Sequence, residues 1–162
     1  MKKLLIIAAM TFGLSAQSAN AATSFEVDEY NRVTLLSAAA VKGKDYDKAF
    51  PLLDEAAKLG NKISQFTLAL LYMEGLGITQ DYGQAYLWLN VAAEHNEKRW
   101  RKVRAQLHNS LSEEQTAALK PLVAEHIEKY GEKAQEVSCY KRAATGSNRK
   151  QLQCSKYRTP GR

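Results

Sequence analysis

Apolar residues recur at helical spacing in two stretches of the chain. Tyr46, Ala49, Phe50, Leu53, Ala56 and Ala57 form one stripe, and Tyr82, Ala85, Tyr86, Leu89, Ala92 and Ala93 form another. Residues three and four apart share a helix face, so each stretch predicts an amphipathic helix. The second stretch repeats the first at an offset of 36 residues: Asp45-Tyr46-Asp47-Lys48-Ala49 returns as Asp81-Tyr82-Gly83-Gln84-Ala85. Asp45 and Asp81 stand where a short carboxylate can accept the orphan N–H groups of a first turn.

Another helix precedes each of these. Ile63 to Met73 is apolar, led by Ile63, Phe66, Leu70, Leu71 and Tyr72. Gly75 predicts a left-handed helix stop, and Gly77 permits the turn back. Tyr30 to Val41 is apolar and alanine-rich, and Gly43 closes it. The unit is thus a helix, a turn and a second helix, used about twice, which is the signature of a repeat architecture. Downstream, Glu97 to Leu107 predicts a helix with the stripe Trp100, Val103 and Leu107. Ser112-Glu113-Glu114-Gln115 predicts a capping box. The helix it opens carries Leu119, Leu122, Val123, Ile127 and Tyr130 and stops at Gly131. Pro51 and Pro121 lie inside their helical patterns; a kink is expected at each, and a division of the helix at Pro121.

Leu70-Leu71-Tyr72, Gly75-Leu76-Gly77, Asp81-Tyr82, Ala85, Trp88 and the Ala92-Ala93 pair together resemble a repeat of the Sel-one-like repeat (SLR) family, a relative of the tetratricopeptide repeats. The first copy departs from this pattern, because residues 37–44 lack the Gly-x-Gly turn. The resemblance implies an all-α fold: a short right-handed α-solenoid of antiparallel helix pairs. It implies a non-catalytic role in protein–protein binding. The Leu-Ser-Glu-Glu-Gln start at residues 111–115 is similar to the terminal helix that follows the repeats in many bacterial members. Such a helix would cap the open end of the stack, as a solenoid requires.

Length and composition narrow the reading. The 162 residues, 45% apolar and 25% charged with 3 Pro and 9 Gly, allow one domain with a core. They exclude collagen-like, wholly disordered and polytopic membrane chains. Met1-Lys2-Lys3, the apolar run Leu4 to Leu14 and Ala19-Asn20-Ala21 stand in the order of a secretory signal peptide. The run falls short of the ~20 apolar residues a bilayer needs. The expected organisation is a signal peptide over 1–21, a helical repeat domain with capping helices over 22–131 and a basic tail over 132–162. The mature chain is expected to be periplasmic or secreted, without a transmembrane anchor after cleavage.

Charge adds a second feature. The net charge is +6, yet residues 22–97 carry −5 and residues 139–162 carry +7. The chain's only cysteines, Cys139 and Cys154, lie in that basic tail. Export to an oxidising compartment predicts a disulfide between them, worth about 3 kcal/mol in loop-closure entropy. Thr145-Gly146-Ser147-Asn148 is a turn signal midway, so the tail reads as a closed hairpin or loop.

Candidate chemistry is sparse. Ser138-Cys139-Tyr140-Lys141 and Ser147-Asn148-Arg149-Lys150 have Ser-x-x-Lys spacing but lack the other motifs of penicillin-recognising enzymes. His95, His108 and His126 are too far apart for a helical metal pair, and no His or acid lies between the two cysteines. Trp88 and Trp100 are expected in the core. No cofactor, metal or catalytic group is expected, and chromosomal DNA is not an expected partner. A protein partner in the cell envelope is expected at the groove lined by the first helix of each pair, with Tyr30, Arg32, Gln65 and Tyr72 as contact residues. The alternative is an anion-binding protein whose Arg99, Arg101, Arg104, Arg142, Arg149 and Lys150, helped by Lys156 and Arg158, meet an anionic surface.

Overall fold

A computed structural model describes residues 17–143, 146 and 148–157. Residues 1–16 of the expected signal segment, and Thr145, Ser147 and Arg158, lie outside the described residues. Among the described residues six helices come first: α1 (Gln17–Lys42), α2 (Tyr46–Lys58), α3 (Lys62–Glu74), α4 (Tyr82–Ala92), α5 (Lys98–Ser110) and α6 (Glu113–Tyr130). Two strands follow, β1 (Val137–Ala143) and β2 (Lys150–Lys156). Among the described residues, no helix is long and apolar enough to cross a membrane.

Local chemistry sets the helix ends. The side chains of Asp45, Asn61 and Asp81 accept from the N–H groups of Lys48, Ser64 and Gln84, capping α2, α3 and α4. Ser112 and Gln115 form the expected capping box. Gly75 ends α3 with φ 67°, its N–H donating to the Leu71 carbonyl. Gly77 also takes a positive φ, 68°, and is packed so closely that an added Cβ would stand 2.3 Å from the Tyr46 carbonyl oxygen. The glycine-bearing turn between α3 and α4 therefore rests on the first turn of α2.

Each helix packs on its neighbour in sequence from α1 to α5, and α6 returns to lie on α4. Alanines mark the closest approaches: Ala49, Ala56, Ala57, Ala69, Ala85 and Ala92 have no exposed surface. With only a methyl group at these points, helix backbones approach closely. Larger side chains fill the space between, led by Leu53, Leu68, Leu89 and Trp88. Phe66 stacks on Trp100 at 5.2 Å between ring centroids, so α5 closes one end of the core. Burial of Phe66 contributes about 2–3 kcal/mol.

Three expectations need correction. The fold is not purely all-α, because the tail is an antiparallel hairpin with Cys139 directly opposite Cys154 and a disulfide between them. The cross-strand bond pins the register, and the buried Val137 anchors β1 to the helices. The helix α6 is not divided at Pro121 but runs unbroken to Tyr130. Pro121 and Ala117 are both exposed, so water can take the carbonyl that proline leaves unpaired. Leu122, expected on the apolar stripe, is exposed, because α6 covers the stack with one side only.

Polar groups complete the core. The Lys62 side chain is fully buried, and its ammonium donates to Glu94 Oε2 at 2.6 Å and to the Val91 carbonyl at 3.0 Å. Burial pulls the Lys62 pKa below its ordinary value, against the pull of Glu94. The same Glu94 oxygen accepts from the N–H of Glu132 at 3.1 Å, just after α6.

Two outcomes follow for thermal unfolding. Gly77→Ala should cost at least about 2 kcal/mol, because the new methyl meets backbone at a strained φ. Gly43→Ala, with only ordinary contacts near its Cβ, should stay within about 1 kcal/mol of the parent. Glu94→Ala strands a buried ammonium and should cost about 3 kcal/mol. Lys62→Met should cost less, because the Glu94 side chain is 28% exposed and water can hydrate it; the reverse order would contradict this account of the pair.

Candidate functional site

A concave surface with polar lining lies between α2, α3, α4 and α6. It is an open cavity of about 510 Å³, and α2 contributes Asp54 and Lys58, α3 Tyr72, and α4 Gln84 and Trp88. The connection before α4 adds residues 78–81, and α6 adds His126 and Tyr130. The repeat positions these groups through its own geometry. Asp81 is there because it caps α4, and Gln80 is held by donating to the Met73 carbonyl at 2.7 Å. Tyr72 is set by an edge-on contact with Phe50, 5.5 Å between centroids.

One wall is aromatic. Trp88 lies 5.4 Å from the His126 ring and 5.2 Å from the Tyr130 ring, and His126 lies 5.4 Å from Tyr130. Asp54 and Asp81 add carboxylates to the lining. Asp54 pairs with Lys58 at 2.6 Å, and this bond raises the Lys58 pKa. Burial, and then the negative charges of Asp54 and Asp81, raise the pKa of the Tyr72 phenol. Burial lowers the pKa of His126, so its imidazole tends to stay neutral. The cavity therefore combines a negative field with aromatic faces and hydrogen-bonding groups.

The expected contact residues separate. Tyr72 lines this cavity. Arg32 is exposed on α1, bonded to Glu29 at 2.5 and 2.7 Å and within 3.8 Å of Glu55. Tyr30 and Gln65 are not at a surface: Tyr30 is 1% exposed and Gln65 not at all. The Tyr30 hydroxyl accepts from the Asn61 amide at 2.9 Å, and burial raises its pKa to about 12. The Gln65 amide donates to the Ala57 and Tyr130 carbonyls, tying α3 to the ends of α2 and α6. Both residues are polar ties inside the stack. Sequence missed Asp54, Asp81, His126 and Tyr130 as site residues, because they lie outside the expected groove helices.

The basic residues lie elsewhere. Arg99 and Arg101 are exposed on α5 and Arg104 is half-buried; the Arg99 guanidinium sits 5.7 Å from the Phe66 ring centre. Arg142, Arg149 and Lys150 are exposed on the hairpin. An ion pair between Lys141 and Glu97 brings the hairpin against the start of α5. Ser138 and Lys141 lie three apart in a strand, so they point to opposite faces and cannot act together. The histidines are scattered: His108 meets the Tyr86 hydroxyl at 3.0 Å, His126 lines the cavity, and His95 faces Glu132. Trp88 and Trp100 are buried, as expected.

Comparison with known proteins fits this architecture. Residues 41–61 and 62–97 match the Sel1 repeat, the second match spanning α3, its turn and α4. One similar solved structure is a protective antigen present in uropathogenic Escherichia coli strains and displaying an SLR fold. It shares 28% identity with this chain at a TM-score of 0.58, over 71% of this chain and 25% of its own. The chain thus spans about a quarter of that protein's length. No curated protein matches. Sel1 repeats generally mediate protein–protein interaction and are generally not catalytic. Repeat sequence, paired helices and the glycine turn at Gly75 and Gly77 agree: the chain is a Sel1-like repeat protein.

Proposed function

We propose that the cavity of Asp54, Tyr72, Asp81 and Tyr130 receives a segment of a protein partner that presents a cationic side chain. The chain then works as a non-catalytic interaction module of the cell envelope. One observation carries the reading: the carboxylates of Asp54 on α2 and of Asp81 at the cap of α4 share a cleft with the half-buried rings of Tyr72 and Tyr130. Carboxylates with aromatic faces suit a lysine or an arginine. In the free chain Lys58 holds Asp54, with both side chains partly exposed. Such a pair is worth only about 0.2–1 kcal/mol, so an incoming cation can replace it. The envelope location rests on the signal-like residues 1–21 and on the disulfide.

The Lys141–Glu97 pair favours a second reading, since it sets the basic hairpin beside the basic helix α5. That region would dock an anionic surface through Arg99, Arg101, Arg104, Arg142 and Lys150.

A displayed random-peptide library panned against the purified protein separates the two. Enrichment of Lys- and Arg-bearing peptides is expected, with affinity lost at least tenfold in Asp54→Lys and unchanged in Arg99→Glu/Arg101→Glu. Enrichment of acidic peptides, lost in the α5 double variant, would replace the cavity reading with the second.

The cavity also predicts a pH effect. The His126 imidazole is held below its ordinary pKa of 6.5 by burial. The unfolded chain therefore takes up this proton first, and stability falls as pH drops below about 6.5 until the folded form titrates too. The loss of melting temperature between about pH 7.5 and about pH 5.5 should shrink in His126→Phe. Because His95 and His108 remain in both proteins, equal losses would remove His126 as the source.

A further inference from the structure

The α4–α5 connection, the segment after α6 and β1 meet beside the Lys62–Glu94 pair. A ring nitrogen of His95, a carboxylate oxygen of Glu132 and Cys139 Sγ all lie within 4.8 Å of one another. All three residues are partly buried. His95 Nδ1 stands 3.7 Å from Glu132 Oε1, and that oxygen is buried yet accepts no hydrogen bond. A carboxylate oxygen withdrawn from water and left unbonded is a costly arrangement that a cation would relieve.

The surroundings hold each group in place. The Glu132 N–H donates to Glu94, which in turn grips the buried Lys62. The His95 ring stands edge-on to Trp100 at 6.1 Å. The strand β1 is anchored by the Lys141–Glu97 pair and by the buried Val137. Such a supporting layer is what orients metal ligands in built sites.

Imidazole, carboxylate and thiolate are the donor set of zinc-class cations. Bond lengths of about 2.0–2.3 Å put tetrahedral donors roughly 3.3–3.8 Å apart. A shift of about an ångström would therefore close the present cluster to that size. In the disulfide form the Cys139 sulfur is bonded to Cys154 and has no thiolate to offer.

We propose that reduction of the Cys139–Cys154 disulfide turns this cluster into a site for a zinc-class divalent cation, bound by His95, Glu132 and Cys139, with Cys154 as the fourth donor. A dithiol supplies two electrons and two protons, breaks the S–S bond to give two cysteine thiols and itself closes to a disulfide. Each cysteine then loses its proton as it binds the cation, and His95 binds as neutral imidazole. Cys154 is within reach because it faces Cys139 across the hairpin, 4.1 Å between Cα atoms. The disulfide links β1 only to β2, whereas the cation would link the hairpin to the α4–α5 connection and to the end of α6. The two links exclude each other. The site is independent of the peptide-binding cavity.

The test uses the full chain and cobalt(II) as the probe. The disulfide is reduced without oxygen by a phosphine, and thiolate-to-cobalt absorption is followed during titration. One equivalent should bind to reduced protein with that band and the bands of tetrahedral cobalt, and none to oxidised protein. His95→Ala and Glu132→Ala should each weaken binding at least tenfold, with helicity checked by circular dichroism. Cys154→Ser frees the Cys139 thiol without any reductant and should keep a weaker, His95-dependent band. A band of equal strength in His95→Ala and Glu132→Ala would mean binding by cysteines alone and would overturn the proposal. Absence of a band in both reduced protein and Cys154→Ser would also overturn it.

Discussion

The structure turns on one constraint: side-chain donors buried around the turn between α2 and α3 must find acceptors, and three separate parts of the chain supply them. Asn61 caps α3 and donates to Tyr30 and Thr34 on α1. Lys62 reaches the end of α4 and Glu94. Gln65 bonds the last carbonyl of α6, at Tyr130. Gly60 has no side chain because Gln135 and Val137 lie against it, 2.5 and 2.9 Å from where a Cβ would be. An unpaired donor here would cost about 1–3 kcal/mol. A buried charge would cost more. Residues 60–65 therefore require α1, the end of α4, the end of α6 and the tail all at once.

That requirement explains how a short repeat array presents ordered surfaces. Two helix pairs make a small stack, and its open end needs covering. The tie from Gln65 to Tyr130 holds α6 on the stack, and α6 in turn supplies His126 and Tyr130 to the cavity. The chain from Lys62 through Glu94 to Glu132 sets the segment after α6, and with it the meeting of His95, Glu132 and Cys139. The cavity and the cysteine cluster thus share one foundation.

Much of the fold was legible because its causes are local. The period of Tyr46 to Ala57 and of Tyr82 to Ala93 follows from 3.6 residues per turn. The caps at Asp45, Asp81 and Ser112 and the stops at Gly75 and Gly131 need only near neighbours. The site was less legible. Tyr30 and Gln65 read as surface residues, since a tyrosine or glutamine on a helix normally keeps its polar end in water. Their partners, Asn61 and Tyr130, lie 31 and 65 residues away. Neither composition nor period reports such a pairing. Pro121 read as a break because local rules count the lost hydrogen bond without knowing that water can replace it.

Sequence by itself determined the helix pairs, their glycine turn, the family they belong to and the facing cysteines, because hydrophobic period, capping and repeat spacing act over a few residues. Tertiary structure alone decided which polar residues are buried, which carboxylates share a cavity, and that His95 and Glu132 stand beside Cys139. Those outcomes depend on burial and on long-range partners, and a side chain's chemistry changes when its neighbours remove it from water.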